Sequence, residues 1–360
     1  MTRMGLPIGL FIFLCLSCSN EDMGYEPTAK SLDIPQIFSE NIIAPIIPTD
    51  NPQTIQGVAL GKKLFFDKIL SANGTQACAS CHMQEFAFTD TARQSTGIQG
   101  QKGGSHAMDV FNMAWNSNEF LWDGSAHLLR DQALLPIQDE LEMDETLENV
   151  VAKLSESQLY KDQFIRAFGS AEVTSEKVSL ALEQFMNSIT STNSKYDDFL
   201  KDPTVFNESE KRGFDLFNTE YNAFFPDESG ADCQHCHSGL NFENDKYMNN
   251  GLDGAGEFAD NGREKVTKDP EDKGKFKVTS LRNIAITAPY MHDGRFQTLE
   301  EVVEHYNTEL KASPSLDPAL EQTRETGLLL TEQDKTDLVA FLKTLTDKDL
   351  TTNPEYSSPF

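Results

Sequence analysis

The chain has 360 residues, and its 57 Asp and Glu outweigh 30 Lys and Arg to leave a formal net charge of −27. Such a surface cannot neutralise phosphates, which excludes a nucleic-acid partner. It suits long-range steering of a basic partner, or simply a solvated acidic face that keeps the protein soluble. The length fits two or three domains.

Residues 1–17 read as a secretory leader: Arg3, an apolar run from Leu6 to Leu16, then Ser17 before Cys18. The run is too short to cross a bilayer, and no other stretch qualifies. The small residue ahead of Cys18 and the polar Ser19-Asn20-Glu21-Asp22 after it resemble a bacterial lipoprotein cleavage site, although Cys15 stands where Leu is usual. An ordinary cleaved signal peptide is the alternative. Both imply export to the periplasm, and a lipid on Cys18 would be the membrane contact. Residues 18–50, polar and then studded with Pro27, Pro35, Pro45 and Pro48, are expected to be a tether.

Within 57–66, Ala59, Leu60, Lys63, Leu64 and Phe66 permit one amphipathic helix. Beyond it stands Cys78-Ala79-Ser80-Cys81-His82, and much later Cys233-Gln234-His235-Cys236-His237. C-x-x-C-H is the attachment signature of a c-type haem. Two thiols add to the two vinyl groups of one porphyrin, and the adjoining His reaches the iron. Two copies use every cysteine beyond Cys18. A four-thiolate zinc site is one alternative, but its C-x-x-C pairs usually lie much closer together. A redox pair is another, but neither copy looks like a thioredoxin-type strand-to-helix turn.

The repeat is wider than the motif. Gly61-x-x-Leu64-Phe65 precedes Cys78 by 17 residues and Gly213-x-x-Leu216-Phe217 precedes Cys233 by 20. A glycine on such a helix lets another helix approach closely. Each half also ends in a helix, with Val178, Leu182, Phe185 and Ile189 in the first and Leu338, Phe341, Leu342 and Leu345 in the second. Thr331-Glu332-Gln333-Asp334 is a candidate cap for the last helix. The join falls at Lys195 to Pro203, and long Gly/Asn/Asp loops over 243–274 surround the second motif. The expected fold is all-α, mainly helical with long loops, as two cytochrome c-type haem domains packed together. Residues 51–200 form the N-terminal domain, 201–346 the C-terminal one, and 347–360 a tail.

The two motifs, Leu121-Trp122-Asp123-Gly124, Gln132, Pro136, Glu142-Met143 and the run from Leu281-Arg282-Asn283 to Pro289-Tyr290 resemble the bacterial dihaem cytochrome c peroxidase family, including its MauG-like branch. The resemblance covers about residues 50–346. It implies two covalent haem c groups, a peroxidatic one at Cys78, Cys81 and His82, and an electron-handling one at Cys233, Cys236 and His237. His82 and His237 would be the proximal iron ligands. Aligning Gly97 to Gly103 with the family puts Ile98 where many members carry a distal His. Ile cannot ligate iron, so the first haem is expected to be five-coordinate or to bear only water. His106 is a rival ligand, though a packed or hydrogen-bonded His is the plainer expectation.

Glu142 matches the family's catalytic acid/base and Gln132 its distal amide. Without the resemblance, Glu140 to Glu145 is a solvated acidic loop before a helix. Trp122 matches the bridging Trp between the haems, or is a core residue beside Phe120 and Leu121. At the second haem, Tyr306 stands where many members supply Met. Thr298-Leu299-Glu300-Glu301 reads as a capping box, and Leu299, Val302, Val303 and Tyr306 share one face of the helix it opens. Tyr306 is therefore a tyrosinate ligand to iron, as in the MauG-like branch, or a packed core Tyr. His305 is turned about 100° away on such a helix, and Met291 is a weaker sixth ligand. The resemblance also implies a calcium held by backbone carbonyls of Thr287 and Pro289, with His106 in place of a usual Asn. Arg282 is a candidate partner for haem propionates, or forms a surface salt bridge.

Three functions follow as expectations. The first is an exported peroxidase that reduces hydrogen peroxide with electrons from a small donor such as a cytochrome c. The second is a MauG-like enzyme that oxidises residues of a partner protein. The third is a dihaem electron carrier without catalysis, which would need neither an open iron nor Glu142 and Gln132.

Overall fold

The computed structural model describes residues 25–42 and 44–360. The expected leader and the candidate lipid site at Cys18 lie outside the described residues. Four helices frame the molecule. Thr54 caps Ile55–Phe66, accepting from Gly57 N at 2.9 Å, and Thr174 caps Ser175–Ser188. Asn207 caps Glu208–Asn218 and Thr331 caps Glu332–Lys343, both through capping boxes that satisfy exposed helix-end donors.

These helices pack two by two, Ile55–Phe66 on Ser175–Ser188 and Glu208–Asn218 on Glu332–Lys343. The repeated glycine sets both crossings. A Cβ on Gly61 would stand 1.8 Å from the Ala181 carbonyl oxygen, and one on Gly213 1.9 Å from that of Asp337. Each glycine also rests on a phenylalanine Cβ one helical turn further on, Phe185 or Phe341.

Apolar side chains gather in two clusters. One holds Leu60, Leu64, Phe65, Phe88, Phe164 and Phe185. The other holds Tyr196, Phe217, Phe242, Leu338 and Phe341. Between the helices the chain runs mostly in loops and single turns. Among the described residues the only strands are Tyr247–Met248 and Phe276–Lys277, paired antiparallel.

Two segments differ from expectation. Residues 25–50 do not form a free tether. Lys30 N donates to Gln53 O at 3.0 Å, and Gln36–Asn41 is a short helix whose Phe38 is fully buried against Trp115. The prolines drew attention from Leu32, Ile34, Ile37, Ile42 and Ile47, which pack on the second cluster. Likewise 347–360 is no loose tail. Leu350 and Tyr356 are buried in the first cluster, and Gln84 Nε2 donates to Leu350 O and Asn353 O at 2.9 Å each. The end of the second half thus straps the first.

Candidate active site

Each C-x-x-C-H pentapeptide begins in a single tight turn, Cys78–Ser80 or Cys233–His235. His82 N and His237 N close these turns by donating to Cys78 O and Cys233 O at 3.0 and 2.9 Å. Two thiols and an imidazole are thereby gathered on one short piece of chain. All four thiols are free. Burial pushes Cys78, Cys233 and Cys236 up to about 12 and raises Cys81 as well. None is the low-pKa thiolate that a redox pair requires. The zinc alternative also fails, since the described residues contain no group of three His, Cys, Asp or Glu placed to hold a metal ion.

The imidazoles are prepared alike. His82 Nδ1 donates to Phe88 O at 3.0 Å, and His237 Nδ1 faces Phe242 O at 3.1 Å and Thr279 O at 3.2 Å. A carbonyl oxygen only accepts, so the ring proton stays on Nδ1 and Nε2 keeps its lone pair for iron. Burial also holds both rings below their ordinary pKa, in the neutral form that ligates metal.

Beside the second motif lies a cavity of about 250 Å³. Cys233, Cys236 and His237 line it, together with Met248, Val303 and Tyr306. Thiols, a prepared imidazole and an apolar wall fit a covalently bound porphyrin. Helix Leu299–Thr308 begins at the expected Thr298 capping box, and Leu299, Val302, Val303 and Tyr306 all face the cavity. Asn250 Nδ2 donates to the Tyr306 hydroxyl at 3.3 Å, and burial raises the pKa of that phenol. His305 is turned away, its Nε2 bonded to Asn250 O at 3.0 Å. Met291 also lines the cavity, with its sulfur 3.4 Å from Asn250 Nδ2.

At the first motif the acidic loop is fixed by backbone hydrogen bonds, with Glu140 and Leu141 exposed, Glu142 half-buried and Met143 and Glu145 buried. Glu142 N donates to Asp139 O at 2.9 Å and Glu145 N to Ile137 O at 2.8 Å. The loop around Ile98 clamps it from outside. Ile98 N donates to Glu142 O at 2.9 Å, and Gln101 Nε2 to Glu140 O at 2.9 Å. Gly97 lies so close that a Cβ would stand 2.0 Å from Leu141 O. Burial, aided by the negative charge of Asp139, pushes the Glu142 carboxyl up to about 7. Met143, next in the chain, is buried in the cluster that Cys78 packs against, and the Glu142 charge raises the proton affinity of Cys78 and Cys81.

The model of the family described as di-haem cytochrome c peroxidase matches residues 55–204. The chain is 33% identical over 303 residues to the methylamine utilization protein MauG of Methylophilus methylotrophus, covering 83% of this chain and 84% of the relative. The chain belongs to the di-haem cytochrome c peroxidase family. It is also 35% identical to the cytochrome c551 peroxidase of Nitrosomonas europaea, over 82% of this chain and 81% of the relative. Among solved structures it is similar to a MauG-like protein associated with microbial copper homeostasis. That match has a TM-score of 0.79 and 34% identity, over 92% of this chain and 99% of that one. The fold is shared with the diheme peroxidase BthA of Burkholderia thailandensis, at a TM-score of 0.70 and 21% identity, over 88% and 94% of the two chains. Membership in this family implies two haem c groups, one for each pentapeptide.

For a di-haem peroxidase the ground between the motifs matters most. Trp122 lines the cavity of the second motif, and its indole Nε1 donates to His106 O at 2.8 Å. His106 is buried. Its Nδ1 faces Ala92 O at 3.1 Å and its Nε2 faces Thr89 Oγ1 at 3.2 Å. Both ring nitrogens are engaged, as befits a packed His and not an iron ligand. Thr287 and Pro289, the expected calcium donors, line the same cavity as His106.

Arg282 is neither a surface residue nor free for a propionate. It is fully buried and spends its guanidinium on Asp197 and on Leu240 O. Sequence reading also missed Asn250, which contacts Tyr306, Met291 and His305, because Asn249-Asn250-Gly251 looks like any turn. It missed two half-buried carboxyls as well. Burial pushes Asp109, in the cavity wall, up to about 7, and Glu243, held by the Asn241 amide, up to about 8.

Proposed function

We propose that this protein is an exported di-haem peroxidase that reduces hydrogen peroxide to water with electrons from a small external donor. The observation that carries this reading is the Glu142 carboxyl. It forms no side-chain hydrogen bond or ion pair among the described residues, and it is held near neutrality beside Cys78 and Cys81. An idle carboxyl at about 7 can accept and return a proton near neutral pH. Reducing a peroxide needs a proton moved from its inner to its outer oxygen. Glu142 would do this, and the Gln132 amide, also without a partner among the described residues, would orient the peroxide. Haem supplies the iron that peroxide meets and the redox equivalents. His82 and His237 would hold the irons, and the hydrocarbon side chain of Ile98 could not ligate the first. Trp122 lies in the wall of the second cavity, a fitting place for an oxidisable bridge. This arrangement argues against a carrier without catalysis.

A second reading has the oxidising equivalents spent on a residue of a partner protein. Tyr306 favours it, because an anionic oxygen ligand would stabilise high oxidation states of the second iron. The likeness to MauG and to the MauG-like protein of copper homeostasis supports it too. Stopped-flow mixing of the haem-loaded protein with hydrogen peroxide tests the step common to both. Glu142→Gln is expected to slow the reaction by about two orders of magnitude, the usual scale for an acid/base group. A rate near that of the parent would remove Glu142 from the mechanism. Steady turnover with a reduced cytochrome supports the first reading. Turnover only with a protein substrate supports the second.

A further inference from the structure

Phe224 and Phe225 have no place in the peroxide chemistry, yet they stand 83% and 62% exposed. Phe224 is the most exposed large apolar side chain among the described residues. The loop that carries them is built to hold them out. Asn222 Oδ1 accepts from Phe224 N and Phe225 N at 3.0 and 3.2 Å, and Asn222 N donates to Ser229 Oγ at 2.8 Å. Its neck is zipped by Gly230 N to Glu220 O and Asp232 N to Thr219 O, both 3.0 Å. Gly230 lies so close to Thr219 that a Cβ would stand 2.2 Å from its carbonyl oxygen. Each Phe leaves a large apolar area in water that burial against a partner would remove.

The loop's position gives the exposure a use. Its base residues Tyr221, Ala231 and Asp232 line the cavity beside Cys233 and Cys236. The aromatic pair therefore stands on the rim of the second haem site. The chain that carries it has one sign of charge, since no Lys or Arg occurs between Arg212 and Lys246, and Arg324, two residues from the Thr326 hydroxyl that Tyr221 contacts, is already paired with Glu321 and Glu325. Glu220, Asp227 and Glu228 are exposed there and form no ion pair among the described residues. Two exposed aromatic anchors flanked in the chain by unpaired carboxylates match a basic surface with an apolar recess. A second copy of the chain would set the same carboxylates against themselves, and an anionic lipid surface would be repelled.

We propose that the Phe224–Phe225 loop is the docking anchor for a basic one-electron carrier protein that reduces the second haem. This rests on the peroxidase reading above. Each docking passes one electron inward and leaves the carrier oxidised by one. Two dockings and two protons convert one hydrogen peroxide into two waters.

The probe is horse heart cytochrome c, a small basic haem protein, and the test uses the full di-haem enzyme. With both proteins ferric and no peroxide present, titration calorimetry gives the dissociation constant independently of turnover. The parent enzyme is expected to bind, and more weakly as salt is added. The double variant Phe224→Ser, Phe225→Ser is expected to bind about tenfold more weakly or worse, as loss of aromatic anchors does. A triple variant, Glu220→Lys, Asp227→Lys and Glu228→Lys, is expected to bind more weakly still at low salt. Unchanged thermal midpoints and haem spectra show that the variants are folded. The proposal is overturned if the parent does not bind, or if the double variant binds equally well. Preferential binding to anionic vesicles, or self-association lost with the two Phe, would overturn it too. Peroxide turnover with a small diffusible donor reports separately on the peroxidase reading, and both variants should leave it unchanged.

Discussion

Asp197 takes both arms of the Arg282 guanidinium, at 3.0 and 2.8 Å, and neither side chain reaches solvent. Arg282 Nε donates to Leu240 O at 2.8 Å, and the guanidinium lies 4.7 Å over the Phe38 ring. The same Asp197 closes the capping box of the short helix Lys195–Phe199. One ion pair thus ties the join between the halves to the second cluster and to the N-terminal segment. Burial pushes the Asp197 carboxyl up, but hydrogen bonds and charge from Arg282 outweigh it and leave the pKa lowered.

Arg282→Met should therefore strand a buried carboxylate. Removing one partner of a buried pair costs about 3–5 kcal/mol. The sign with pH also reverses. In the parent, a lowered Asp197 pKa gives stability that is present above the ordinary Asp range and lost as pH falls through the folded value. In the variant, Asp197 loses the partner that lowers it, so its contribution should vanish at low pH and turn destabilising as pH rises. Urea unfolding of both proteins at pH 4 and pH 7 should show a gap that widens at the higher pH. Equal gaps would mean that Asp197 finds another partner.

Glu142 has the opposite shift, up to about 7 from burial and from the charge of Asp139. As a proton acceptor it must start ionised. The peroxide reaction should therefore quicken about tenfold per pH unit up to roughly 7 and level off above it. Glu142→Gln should remove that limb as well as slow the reaction. A parent profile that is flat between pH 5 and 8 would mean that another group moves the proton. In stability the raised pKa acts the other way. The folded state loses ground as pH rises through the folded value, so at pH 8 the Gln variant should be at least as stable as the parent.

The crossings at Gly61 and Gly213 make a matched pair. Gly61→Ala would put a methyl 1.8 Å from Ala181 O, and Gly213→Ala one 1.9 Å from Asp337 O, both helix backbone that cannot step aside. Each should destabilise by at least the 1–3 kcal/mol typical of overpacking. Gly104→Ala is the control, because nothing lies within 4 Å of its added Cβ. Thermal melts should separate the first two from the third. A neutral Gly61→Ala would show that the helices can part at little cost.

Much of this was legible in the sequence because it rests on local rules. The haem motifs, the repeated glycine, the Thr298 and Thr331 boxes and the inward face of Tyr306 are all spacings of a few residues. Other features were hidden because they are made by distant chain. Arg282 looked like a free cation until Asp197, 85 positions earlier, closed on it. The acidic loop at Glu142 looked like a free charge run until the backbone around Ile98, more than forty positions away, bound it and left Glu142 half-buried. Phe38 and Tyr356 sat in stretches that proline and polar residues marked as loose, yet single aromatic side chains anchor both.

Tyr306 gives the sharpest test of the second site. Its ring lines the cavity beside Cys233, Cys236 and His237, and burial raises its pKa. Left alone it would stay a phenol. Next to a bound ferric iron the metal's charge favours release of the proton, and the resulting anion would favour the oxidised states. Tyr306→Met replaces that anion with a neutral thioether, which favours Fe(II). The midpoint potential of the second haem should rise by about 100 mV or more, well within the span that axial ligands control. Low-temperature EPR of the ferric protein should change at one haem and not at the other. Tyr306→Phe, which keeps the packing and removes only the oxygen, should change the same haem signal. If redox titration gives one potential for parent, Met and Phe variants, then Tyr306 only packs against the cavity, and the MauG-like reading loses its main support.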